Sequence, residues 1–211
     1  MKAASGDAVD LKLYDPAMRH LIDTYIRAGE SERVTAFEDM TLVQLLVTHG
    51  PAAAAAALPA GLRESDDAVA ETIENNVRKA IVDETPVNPK YYGRMSALLD
   101  ALIIDRRAAA VRYADYLERV TDLAKGLAGP AGDGYPAGLT QPRVRALYDN
   151  LGRDEVVARR VDAAVVASRQ DDWRGHPVKT RKVRNALREA LGGDEDELDR
   201  VMELVAAQRE Y

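Results

Sequence analysis

The sequence contains no cysteine, one phenylalanine and one tryptophan. Without cysteine there is no disulfide, no thiol nucleophile and no Cys-ligated zinc. No run of about 18 apolar residues occurs, so there is no candidate membrane-spanning helix. The opening residues, MKAASGDAVD, lack the apolar centre of a secretory signal, and the expected compartment is the cytoplasm. Basic excess is missing as well. Twenty-nine Lys and Arg stand against 35 Asp and Glu, a net charge of −6, unlike a basic nucleic-acid module. What remains is 211 residues, 46% hydrophobic and 30% charged, the composition of a globular chain.

The charge is unevenly spread. Residues 141–191 hold 12 basic and 7 acidic residues, whereas residues 192–211 hold 2 and 7. A basic block of this kind can face phosphates. It can equally dock an acidic partner or the chain's own acidic tail, which is the preferred reading.

Nearly every segment carries helical periodicity, and none carries a convincing strand signal. The expected first helix opens at Asp15 with Pro16 at its first position. A second runs from about Glu38 to His49, is stopped by Gly50 and Pro51, and is followed by an alanine-rich helix. From Asp66 to Asp83, Val69, Ile73, Val77, Ala80 and Ile81 form an inward stripe. Asn88 and Pro89 then open the element with the strongest pattern. Tyr92, Met95, Leu99, Leu102, Arg106, Ala109, Tyr113, Tyr116, Val120, Leu123 and Leu127 are spaced alternately by three and four. That is a heptad seam of about five heptads, and it predicts one very long helix over about 88–127. Arg106 interrupts the seam, so it should be paired, reach water or lie outside the packed part. Tyr92 to Leu102 should pack internally. Tyr113, Tyr116 and Val120 should be covered by the C-terminal lobe or left open for another subunit.

The glycine- and proline-rich stretch 126–138 reads as a linker. Thr140, Asp154, Thr180 and Asp194 are expected to cap four further helices. The expected fold is all-α, a multi-helix array in two lobes, 1–128 and 139–211, joined by residues 129–138.

Catalytic motifs are scarce. The glycines at 126, 129, 132 and 134 lack the strand and the lysine of a phosphate-binding loop. Asp10 and Lys12 alone do not make a nuclease centre, and His20, His49 and His176 are scattered. No catalytic or metal-binding residue is assigned. Trp173, beside Arg174, suits either a stacking or interface role or a plug in the C-terminal core.

Long ordered strings carry a resemblance: LKLYDPAMRHLIDTYIRA, AETIENNVRKAIVDETPVNPKYYGRMSALLDALI, YPAGLTQPRVRALYDNLG, DDWRGHPVKTRKVRNALREAL and ELVAAQREY. From about residue 10 to 211 the chain resembles the helical C-terminal region of type I restriction enzyme R subunits. The resemblance implies a parent that is an ATP-dependent DNA translocase and site-specific deoxyribonuclease, using ATP and Mg. It implies modification (methyltransferase) and specificity subunits as partners. It carries no catalytic residue or cofactor onto this chain, so the chain itself is expected neither to hydrolyse ATP nor to cut DNA. Two readings follow. In the first the chain is an assembly module, with Tyr113, Tyr116, Val120 and Trp173 as interface candidates. In the second it contacts the DNA backbone through Arg143, Arg145, Arg174, Lys179, Arg181, Lys182 and Arg184.

Overall fold

A computed structural model describes residues 40–128 and 134–211, which belong to one compact unit. These residues are helical and contain no strand. The expected helix from Asp15 lies outside the described residues. The helices are α1 (Leu42–Ala56), α2 (Ala60–Arg63), α3 (Asp66–Glu84), α4 (Pro89–Arg107), α5 (Tyr113–Lys125), α6 (Pro142–Asn150), α7 (Glu155–Ser168), α8 (Pro177–Ala190) and α9 (Glu195–Ala207).

Capping residues set several of the starts. Thr41 and Gln44 form a reciprocal capping box at α1, and Gly50, at φ 82°, kinks that helix ahead of Pro51. The Asn88 side chain accepts from Tyr91 N, with Pro89 at the first position of α4. Asp154 and Asp194 cap α7 and α9 as expected. Two other caps differ. Gln141 and His176 take the positions expected for Thr140 and Thr180, because each precedes a proline that occupies the first helical position. The Thr180 hydroxyl donates instead to Trp173 O at 2.7 Å.

The single long helix is not formed. The chain breaks between α4 and α5 and folds back as a hairpin. Ala109 lies at φ 52°, its N–H donates to Arg106 O, and the Ala110 N–H donates to Asp105 O. This is a Schellman stop with alanine where glycine is usual. The two arms close the seam on itself. The Tyr91 hydroxyl donates to Gly126 O at 3.0 Å and the Tyr92 hydroxyl to Leu127 O at 3.3 Å.

Buried apolar side chains gather in two clusters. The first joins Leu46, Ile73, Val77, Tyr92, Leu99 and Val120 from α1, α3, α4 and α5. The second joins Leu139, Leu147, Val161, Leu187, Leu198 and Val205 from α6 to α9 and the segment before them. Polar contacts run between the clusters. Asn88 Nδ2 donates to Asp149 Oδ2 at 2.8 Å, and Asn150 Nδ2 donates to Asn88 Oδ1 at 2.9 Å. Gln208 Nε2 reaches Val87 O at 2.7 Å.

Candidate functional site

The basic block is carried mainly by α6, α7 and α8. On α8, Val183, Leu187 and Ala190 turn inward. That burial, at helical spacing, leaves Arg184 and Arg188 beside α9. The first turn of α9 is acidic, with Glu195, Asp196 and Glu197, as suits the positive end of a helix dipole. Arg184 Nη2 lies 2.6 Å from Asp199 Oδ1 and 3.5 Å from Glu195 Oε2. Arg188 Nε donates to Glu195 Oε1 and its Nη2 to Glu195 Oε2 at 3.2 Å. The Arg188 hydrogen bond, with Arg184 nearby, holds the Glu195 carboxyl below the usual carboxylate range. The acidic start of α9 thus pairs with Arg184 and Arg188 of the basic helix that precedes it.

Four other basic candidates are also engaged. Arg143 Nε donates to Asp162 Oδ1 at 2.7 Å, its Nη1 reaches Glu210 Oε2 at 3.3 Å, and its guanidinium lies over the Tyr211 ring. Arg145 Nε donates to Leu139 O at 2.6 Å. Arg174 donates to the carbonyls of Ala206, Gln208 and Tyr211, and so satisfies the carbonyl end of α9. Lys179 Nζ donates to Asp171 O at 2.6 Å. Arg181 and Lys182 differ. Both are exposed on α8, and neither has an ion pair or a hydrogen-bonding side chain among the described residues.

The interface candidates are placed otherwise than expected. Tyr116 and Val120 are fully buried in the first cluster, where α5 packs on α1, α3 and α4. The cover therefore comes from neither the C-terminal helices nor another subunit. Tyr113 is half-buried against the same cluster. Trp173 is 2% exposed in the second cluster, so the indole takes the core position and offers no stacking face. Tyr116 and Val120 thus move from interface candidates to the core and Tyr113 to its margin, whereas Trp173 takes the core role already open to it. For the three α5 residues the hairpin is the reason: it closes the second half of the seam onto its own lobe.

Arg106 is paired. Its Nε donates to Glu74 Oε1 at 2.8 Å and its Nη1 donates to Asp67 Oδ1. The Tyr116 hydroxyl donates to the same Glu74 oxygen. Burial works to depress the Arg106 guanidinium, but the Glu74 bond and charge outweigh it and the pKa ends raised. Burial, and then the Glu74 bond, push the Tyr116 hydroxyl well above its ordinary range. Burial also pushes Tyr92 up to about 12.

Two features escaped the sequence reading. One is the carboxylate of Asp149, which is fully buried between the clusters. Its Oδ2 accepts from Asn88 and from the Tyr135 hydroxyl, and its Oδ1 faces Arg94 Nη2 at 3.7 Å. Nothing in a 61-residue separation signals that pairing. The other is an open groove of about 470 Å³ between α4 and α5, whose floor includes Met95, Leu102 and Leu123. Leu98 lines it while 59% exposed, and Ile104 on the same helix is 65% exposed. Leu98 and Ala101 lie off the heptad seam at three-residue spacing, and this apolar pair was the available signal.

Among the described residues no three His, Asp or Glu side chains gather where they could hold a metal ion. No helix among them is long and apolar enough to cross a membrane. No family model matches the sequence, and neither the curated proteins nor the solved structures searched contain a match.

Proposed function

We propose that the chain is a non-catalytic helical assembly module of the type found at the C-terminus of type I restriction enzyme R subunits. It serves to hold an ATP-dependent DNA translocase and endonuclease to its modification and specificity subunits. Sequence resemblance over about residues 10–211 supplies the family. The observation that carries the choice of assembly over DNA contact is the internal use of the basic block. Arg143, Arg184 and Arg188 are held by carboxylates of the same lobe, and Arg174 by backbone carbonyls. A guanidinium already committed to a carboxylate has little left to offer a phosphate. ATP and Mg belong to the motor of the parent enzyme in this reading, and the cytoplasm is its compartment.

A competition experiment tests it. Excess isolated chain, added to a complete type I enzyme, should block ATP-dependent cleavage by occupying the docking position of the R subunit. Methylation by the same complex should persist. Undiminished cleavage at saturating chain would contradict the reading.

The exposed pair Arg181 and Lys182 favours a second reading, in which α8 touches the DNA backbone. Salt-dependent binding of the chain to duplex DNA, weakened by Arg181→Glu with Lys182→Glu, would support it.

A further inference from the structure

The exposed face of α4 has an internal symmetry. Arg94, Leu98, Ala101 and Asp105 follow one another at spacings of four, three and four, so they lie along one stripe of the helix. The stripe is apolar in the middle, with a cation at its N-terminal end and an anion at its C-terminal end. The Arg94 side chain is 53% exposed and meets Asp149 only at 3.7 Å. Asp105 lies on the rim of the groove with no ion pair among the described residues.

Such a stripe is complementary to itself when reversed. A two-fold axis beside the helix, perpendicular to it and level with the midpoint of residues 99 and 100, would bring a second α4 antiparallel to the first. Arg94 would then face the partner's Asp105, and Asp105 would face the partner's Arg94. Leu98 would face the partner's Ala101 and Ala101 the partner's Leu98, a large side chain against a small one on both sides of the axis. Ala97 would face the partner's Leu102. Every contact occurs twice, as a closed isologous interface requires. The groove beside α4 gives the incoming Leu98 a place to enter. Antiparallel packing also sets the two helix dipoles head to tail. On α5, Asp122 is already held by Lys125 at 2.7 Å, so it does not leave a bare anion on the rim.

We propose that this chain self-associates through α4, the occupant of the open groove face being a second copy of the same chain docked antiparallel about that axis. The inference stands on the stripe alone and is independent of the assembly reading.

Light scattering across a concentration series tests it. The mass of the full chain should rise from 23.1 kDa toward twice that value. Leu98→Glu and Asp105→Arg, both at sites open to solvent or on the groove rim, should each return it to the monomer with helical circular dichroism unchanged. Absence of native cysteine permits a second readout. A mixture of Leu98→Cys and Ala101→Cys chains should cross-link under mild oxidation more than either alone. Val82→Cys, 62% exposed on α3, should not cross-link. A monomer at all concentrations, with no cross-linking above the Val82→Cys control, would overturn the proposal. A dimer that survives Leu98→Glu would overturn it equally.

Discussion

Arg106 of α4 and Glu74 of α3 form an ion pair at 2.8 Å, with side chains only 9% and 5% exposed. Glu74 also accepts from the buried Tyr116 hydroxyl, so one carboxylate oxygen ties α3 to both arms of the α4–α5 hairpin. The Arg106 guanidinium lies 5.6 Å from the Tyr116 ring centroid as well.

Removing one member should be far worse than removing both. Arg106→Met alone leaves a buried carboxylate short of its counter-charge and should cost about 3–5 kcal/mol. Tyr116→Phe removes one hydrogen bond to that carboxylate and should cost about 1–3 kcal/mol. The double substitution Arg106→Met with Glu74→Met should recover most of the loss of the first. Urea unfolding of the three variants reads all of these values. Equal losses for the single and double variants would show that the ion pair does not act as a unit.

The hairpin makes a prediction whose sign distinguishes it from a continuous helix. Ala109 sits in the left-handed region, where an alanine costs about 1–2 kcal/mol more than in a right-handed helix. Ala109→Gly should therefore leave stability equal or raise it by up to about 1 kcal/mol. In a continuous helix the same change would lower stability by about 1 kcal/mol. A shift in the midpoint of thermal unfolding decides between them.

Much of the helical layout was legible in the sequence. The α3 stripe and the starts at Asn88, Asp154 and Asp194 follow from periodicity and capping chemistry, and they recur in the fold. The hairpin was not legible, for two physical reasons. Ala108, Ala109 and Ala110 are strong helix formers, so no local breaker marks the turn. The three-four spacing also runs through the turn, so the same string suits one long seam or two arms closing on each other. Tertiary contacts choose the second. Arg106 reaches back to α3, and Tyr116 and Val120 find cover on α1, α3 and α4. The misplacement of the tyrosine face follows directly from that turn. The pairing of α8 with the acidic start of α9 was foreshadowed by the charge blocks alone.

Alkaline pH should unfold the chain through its tyrosines. Tyr92, Tyr116, Tyr135 and Tyr211 all have hydroxyls raised above 10.0, in each case chiefly by burial. A raised folded-state value means that the neutral ring stabilises the fold fully below pH 10 and that this contribution is lost as the pH rises beyond it. Tyrosinate absorbance should therefore lag behind that of free tyrosine and then rise together with loss of helical signal. Titration of all nine tyrosines near pH 10 with the helices intact would contradict the burial of these four.

Arg181→Glu with Lys182→Glu reverses two exposed cations and breaks no ion pair among the described residues. Stability should stay within about 0.5 kcal/mol of the parent. Under the proposed function, docking to modification and specificity subunits should be unchanged, as read by co-elution. Loss of docking would place α8 in the interface. A drop in the salt slope of DNA binding by about two would instead mark two lost phosphate contacts.

The most direct test of the assembly role is a binding titration of the isolated chain into the modification–specificity complex without DNA or ATP. The proposed function predicts a saturable complex of defined stoichiometry whose affinity survives added salt better than a phosphate-mediated contact would. No heat and no co-migrating mass at any ratio, alongside salt-sensitive binding to duplex DNA, would contradict the assembly role and move the function to the DNA backbone.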